Sequence, residues 1–344
     1  MANETISSSL AALVATEMLA QQSIKANLPD AVLTSIAHMS TSLDGMRTNQ
    51  KRYTVESSLG ASSGGTENTA LTNTFAFSMG TSVNVSPTEG VADLFEITED
   101  AIMRQLGIPF AQLESIIAGE GSVEQYQAIL GPYVQRAIAR GMRKIEADGL
   151  ALLSGLSQSV GTSGSDITVS DMLAAIYTYR QGEPLVPLDT QGPMATRFLL
   201  TNNQKHEIDV ALFATGSGAA LANTWTNPAN YASGQAAEGV QAQGLRGSFL
   251  GYPVHVYSPT LNVTANTGAD VVGGFGCFGD PMRAPDDASL GGRCGAFVRE
   301  VRTPLSFAFR RGLENRSIIG RMNARYAWAE VCDSSAVKIV TDAP

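Results

Sequence analysis

Charge is scarce in this chain. Only 16% of its 344 residues are Asp, Glu, Lys or Arg, against about 25% in typical soluble domains. So low a density suits a chain that covers much of its surface with copies of itself. The net charge of −9 excludes a general affinity for DNA, because phosphate neutralisation dominates such binding. Cysteine is equally sparse. Cys277, Cys294 and Cys332 are odd in number and widely spaced, with no CxxC, so there is no disulfide framework and reduced thiols and intracellular folding are expected. No apolar run approaches the ~20 residues that a membrane helix needs. Glu4 and Glu17 interrupt any secretory pattern at the N-terminus. Residues 6–25 read instead as an amphipathic helix, with Ile6, Leu10, Leu13, Val14, Met18 and Ile24 on one side.

Catalytic signatures are missing too. There is no GxxxxGK[ST] phosphate loop, no GxSxG elbow and no HExxH pair. Residues 274–279 match GxGxxG after Val271 and Val272, but Asp280-Pro281 follows where a phosphate-binding helix should start. His38, His206 and His255 are scattered over a helix-like, a helical and a strand segment. Lone histidines of this kind are mostly structural. The acidic pairs Glu99-Asp100 and Asp286-Asp287 fit a helix start and a loop. No cofactor, metal site or enzymatic activity is expected.

What the chain does have is a pair of alternating strands followed by a very long helix. In residues 74–86, Phe75, Phe77, Met79, Val83 and Val85 occupy every second position, which puts them on one strand face. The outgoing strand is shorter and carries Tyr53 and Val55. Between them, residues 59–73 form a fifteen-residue tip with three glycines and no proline, whereas hairpin loops usually take about 2–5 residues. A ribbon this long at its tip projects from its domain, and Tyr53, Val55, Phe75, Phe77, Met79 and Val83 are its candidate contacts with a neighbouring molecule.

Ser122 and Gln125 make a capping box at the start of the helix. Tyr126, Ile129, Tyr133, Ala137, Ile138, Met142, Ile145, Leu152 and Leu153 then recur at helical spacing through residue 154. Tyr133, Ile138, Met142 and Ile145 are its candidate core. Pro132 predicts a kink or break. Arg136, Arg140, Arg143 and Lys144, accompanied by Glu146 and Asp148, read as a solvated or interfacial face.

Further along, residues 91–97 read as a strand, Thr98 as a helix cap and Gly107 as a helix end. A second short helix is expected over 110–118, and 155–166 reads as a Gly/Ser linker. Thr168 and Asp171 open another helix, followed by a strand at 197–201 and a helix at 203–213. A strand–turn–strand centres on Gly251, and strands are expected at 297–309, 317–332 and 336–341. Helices and strands mix without a βαβ rhythm, which makes the fold class α+β.

The order of these segments resembles a known family. The pieces that carry it are GTSVNVSPTEGVADLFEITEDAI, GLRGSFLGYPVHV and ENRSIIGRMNARYAWAEVCDSSAVKIVTDA. Together they resemble the major capsid protein of tailed double-stranded DNA bacteriophages, with the Hong Kong 97-type fold, over nearly the whole chain. The resemblance implies an N-terminal arm at 1–50, an extended hairpin loop at 51–90 and a peripheral domain at 91–167 with its spine helix at 122–154. An axial domain follows at 168–312, and 313–344 returns as C-terminal strands. It also implies a homo-oligomer of pentamers and hexamers in an icosahedral virion capsid, assembled in the host cytoplasm. Such a shell encloses double-stranded DNA without reading its sequence and has no membrane. A separate scaffolding protein, a portal and, in some cases, a decoration protein are the implied partners. Some members join a loop lysine to a neighbour's asparagine. Here the loop has Asn68 and Asn73 but only Lys51 at its base, so no such crosslink is expected. Two alternatives stand beside this reading: an encapsulin-type nanocompartment shell, and a hydrolase using His206 or Asp209.

Overall fold

The computed structural model describes residues 31–44, 50–55, 81–107, 123–182, 196–214, 245–258, 270–279, 295–312 and 317–342. The expected N-terminal helix, the ribbon tip, the cap at Ser122 and the helix at 110–118 lie outside them.

A short helix α1 (Val32–Ile36) leads into β1 (His38–Ser40), so His38 opens a strand rather than sitting in a helix. β2 (Lys51–Val55) pairs with β3 (Thr81–Val85) as a two-stranded ribbon, Tyr53 opposite Val83 and Val55 opposite Thr81. β4 (Glu89–Thr98) runs into α2 (Glu99–Leu106). Thr98 Oγ1 caps this helix by accepting from the Ala101 amide at 3.4 Å, and Gly107 ends it in the left-handed region at φ 62°.

The long helix α3 (Val123–Leu150) then spans 28 residues, about 42 Å at the usual rise. It runs unbroken through Pro132, contrary to the break that proline predicts. Pro132 lies on the exposed face, where water can satisfy the carbonyl left free one turn back. Its last apolar residues, Leu152 and Leu153, belong to a 3-10 turn (Ala151–Gly155) and not to the α-helix.

α3 lies on a four-stranded sheet ordered β1-β10-β11-β4, where β10 is Phe297–Gly312 and β11 is Ser317–Glu330. Alternation dictates the packing: Met322, Ala324, Tyr326 and Trp328 of β11 are buried, while Arg321 and Arg325 are exposed. The register places β10 alongside β11 over its whole length, from Phe297 opposite Glu330 to Gly312 opposite Ser317. Residues 297–312 thus share a sheet with the spine strands.

A second, six-stranded sheet is ordered β5-β12-β9-β6-β8-β7. Its strands are β5 (Ser159–Gly161), β6 (Arg197–Thr201), β7 (Leu245–Phe249), β8 (Tyr252–Tyr257), β9 (Asp270–Gly276) and β12 (Ala336–Asp342). The segment that reads as a Gly/Ser linker supplies β5, an edge strand parallel to β12. Three residues are too few for an alternation pattern, and only the pairing partner reveals them as a strand. Helix α4 (Val169–Gly182) begins with a reciprocal cap. Thr168 Oγ1 accepts from the Asp171 amide at 3.2 Å, and the Asp171 carboxylate accepts from the Thr168 amide at 2.9 Å. α5 (Asn202–Ala214) follows β6 directly.

Phe198, Leu200, Phe275, Val337 and Ile339 line one face of this sheet and pack with Met172, Ile176 and Tyr179 of α4. On the other face Leu199 and Val272 join the core that holds α3 and the first sheet. The first half of the GxGxxG match, residues 274–276, lies within β9. A side chain on Gly274 would stand 3.1 Å from Leu153 and Phe278, so this glycine permits close packing rather than a phosphate cradle.

The expectation of reduced thiols fails at Cys332, which is disulfide-bonded, while Cys277 is free. Sequence distance misleads here. The Cys332 amide donates to the Ala296 carbonyl at 3.4 Å, because the β10–β11 pairing brings the chain entering β10 beside the end of β11.

Candidate functional site

Two polar clusters tie the distinctive elements of the fold to its core. The first lies at the root of the ribbon. Tyr53 has no exposed surface and packs with Val85, Val298, Ala327 and Val331. Its hydroxyl donates to Glu300 on β10. Lys51 Nζ lies 3.1 Å from the same carboxylate and 2.9 Å from Ser40 Oγ, and stands 4.7 Å over the Tyr53 ring. Glu300 is fully buried, and its second oxygen has no partner among the described residues. Removing its partners would leave a buried charge uncompensated, at about 3–5 kcal/mol.

Of the candidate contacts, the structure places Tyr53 inside its own subunit. Val83 is half-buried against the same cluster, and Val55 stands at the outer end of the ladder, opposite Thr81. Phe75, Phe77 and Met79 lie outside the described residues. The described root of the ribbon is therefore anchored in its own subunit.

The second cluster joins the segment before the ribbon to α3. Ile138 and Ile145 are buried in the main core, with Tyr133 and Met142 packed against it. Arg136, Arg140, Arg143 and Lys144 are exposed; Arg140 pairs with Asp93 at 3.4 Å and Lys144 with Asp148 at 2.7 Å. Glu146, which in sequence looks like another member of that face, is fully buried. It accepts from the Leu33 amide, from the Thr34 amide at 2.9 Å and from Thr34 Oγ1 at 2.7 Å.

Burial pushes its carboxyl up to about 7, against the pull of the Thr34 and Leu33 hydrogen bonds and the Arg299 charge. Burial likewise pushes Arg299 down to about 10, opposed by the charge of Glu146. The Arg299 guanidinium lies 5.6 Å over the Trp328 ring, and Trp328 Nε1 donates to the Ile145 carbonyl at 2.8 Å. Helix, arm, β10 and β11 thus meet at one buried acid and one buried base. Nothing in the sequence marks Glu146, because its partners lie 112 and 113 residues away.

The residues named for the hydrolase alternative lie on one helix, α5. His206 is exposed and Asp209 is held by Lys205 at 2.5 Å. Among the described residues, no group of three His, Cys, Asp or Glu side chains is placed to hold a metal. No helix among them is long and apolar enough to cross a membrane.

No family model matches this sequence, and no curated protein matches it. Solved structures do. The capsid of Ralstonia phage GP4 aligns over 90% of this chain and 87% of its own, with a TM-score of 0.55 and 10% identity. The capsid of an empty GTA particle, computed with C5 symmetry, aligns over 91% and 90%, with a TM-score of 0.52 and 11% identity. The head of Helicobacter pylori bacteriophage KHP40 aligns over 89% and 87%, with a TM-score of 0.51 and 10% identity. The chain has the fold of phage capsid proteins, the Hong Kong 97-type fold.

Proposed function

We propose that this chain is the major capsid protein of a tailed double-stranded DNA phage, which assembles into the icosahedral shell around the genome. The observation that carries the reading is the end-to-end match to capsid structures, about 90% of both chains. The anchored ribbon supports it: a root fixed in its own subunit lets a long tip reach a neighbour. Shell contacts need only be modest, because a closed shell engages each subunit several times. In this reading Val55, Phe75, Phe77 and Met79 form the outer contact, and a scaffolding protein and portal complete the assembly.

Negative-stain electron microscopy of the purified protein tests this. Closed icosahedral particles filled with DNA are expected. Small shells carrying protein cargo would move the assignment to a nanocompartment, and a chain that never assembles, even with scaffold, would sink it.

Two predictions follow from the ribbon. Deleting residues 60–72 should leave a folded chain that assembles poorly, since none of the described core residues lies in that segment; normal shells from that deletion would refute the role. Covalent joining of subunits through the loop should be absent, because Lys51 is engaged by Glu300 and no other lysine lies between 51 and 90. Particles boiled in detergent with reductant should give one band near 36.1 kDa, and a persistent ladder would contradict this.

A further inference from the structure

We propose that the cleft between α4 and the β7–β8 turn is a face by which one copy of this chain docks on the next; the inference rests on the shell reading. The cleft, about 310 Å3, is lined by Leu173, Ile176, Tyr177, Arg180, Leu250 and Tyr252. Three of these are large apolar groups left open: Leu173 is 47% exposed, Tyr177 62% and Leu250 47%. Contiguous apolar exposure of this kind marks contact surfaces.

The turn adds an independent sign. Leu250 has φ 50° and Gly251 φ 85°, two successive left-handed residues joining Phe249 to its partner Tyr252. Such a two-residue turn favours Asn-Gly, because a leucine side chain strains the left-handed backbone. The chain holds a leucine at an exposed tip, in a conformation asparagine would take more easily. Leu250 leaves 47% of its surface open there. A docking partner would cover it.

Charge identifies the occupant. Arg180 at the cleft donates to the Tyr252 hydroxyl at 3.3 Å and is paired with no carboxylate among the described residues. The opposite end of α4 is acidic. Asp166 is exposed there, and its charge and that of Asp342 act on Glu207. Burial raises the Glu207 carboxyl, a hydrogen bond from the Ile167 amide at 3.1 Å opposes it, and the neighbouring charges of Asp166 and Asp342 raise it further, so carboxylates gather at this end. One helix therefore presents an apolar, cationic end and an acidic end. Two different complementary patches make a head-to-tail contact between copies, the kind that generates rings.

The test uses the full chain under assembling conditions, comparing wild type with Leu250→Asn, Tyr177→Ser and Arg180→Glu. Sedimentation and electron microscopy read assembly, and thermal unfolding of the unassembled chain reads the fold. Leu250→Asn should unfold at a higher temperature than wild type yet need about tenfold more protein to assemble. Arg180→Glu should assemble poorly alone and recover when mixed with Asp166→Arg. Variants that assemble at the wild-type concentration overturn the docking face while leaving the shell reading intact. Normal variant shells that lose a co-purifying protein would give the cleft to that protein instead, which also overturns it. A wild-type chain that never self-associates overturns the shell reading, and this face with it.

Discussion

Glu146 carries a carboxyl that burial holds at about 7 instead of 4.5. The folded chain therefore binds this proton more tightly than the unfolded chain. The stability tied to it is full below pH 4.5 and is lost as pH rises toward 7. A displacement of that size corresponds to on the order of 3 kcal/mol. Glu146→Gln keeps an acceptor for Thr34 but cannot ionise. Urea midpoints measured between pH 5 and pH 8 should fall for wild type and fall less for Glu146→Gln; parallel slopes would show that Glu146 does not titrate with folding. Some slope should remain in the variant, because burial, and then Asp333, also hold Glu330 near 7. At this scale the sequence is a poor guide. Thr98, Gly107 and the Thr168–Asp171 cap declare themselves because their partners lie within a few residues. Glu146 and Glu300 do not, because burial by residues more than a hundred positions away decides their chemistry.

Elements were more legible than residues wherever they were long enough to show a period. β11 and α3 each bury a stripe that alternation or helical spacing reveals, and Ile138 lies on the buried side of its helix. Ile138→Ala should cost about 2–5 kcal/mol, the range for truncating a buried aliphatic side chain. Chemical denaturation of the unassembled chain would measure it, and a loss well under 1 kcal/mol would mean that the helix packs differently. One element escaped for a specific reason. β5 has three residues, and its identity comes from its pairing with β12. At Pro132 the helix itself was legible, and only the expected break is absent, because proline's penalty is local while the packing that holds α3 on its sheet extends along the helix.

For the molecule as a whole, one core cluster bridges the two sheets, while the second sheet's other face packs a core of its own with α4. Leu199, Tyr257 and Val272 of the second sheet belong to the same cluster as α3 and β11. Among the described residues, the ribbon's root is tied to this body where Lys51 and Tyr53 engage Glu300 and Val85 packs with Val298 and Ala327. That root acts as a fulcrum. Glu300 belongs to β10, and β10 is laddered to β11 along its length; β11 in turn grips the long helix through Trp328. A pull on the ribbon's root would pass through Glu300 into this ladder and on to the long helix. In the proposed shell, load placed on the ribbon would therefore be felt by the long helix.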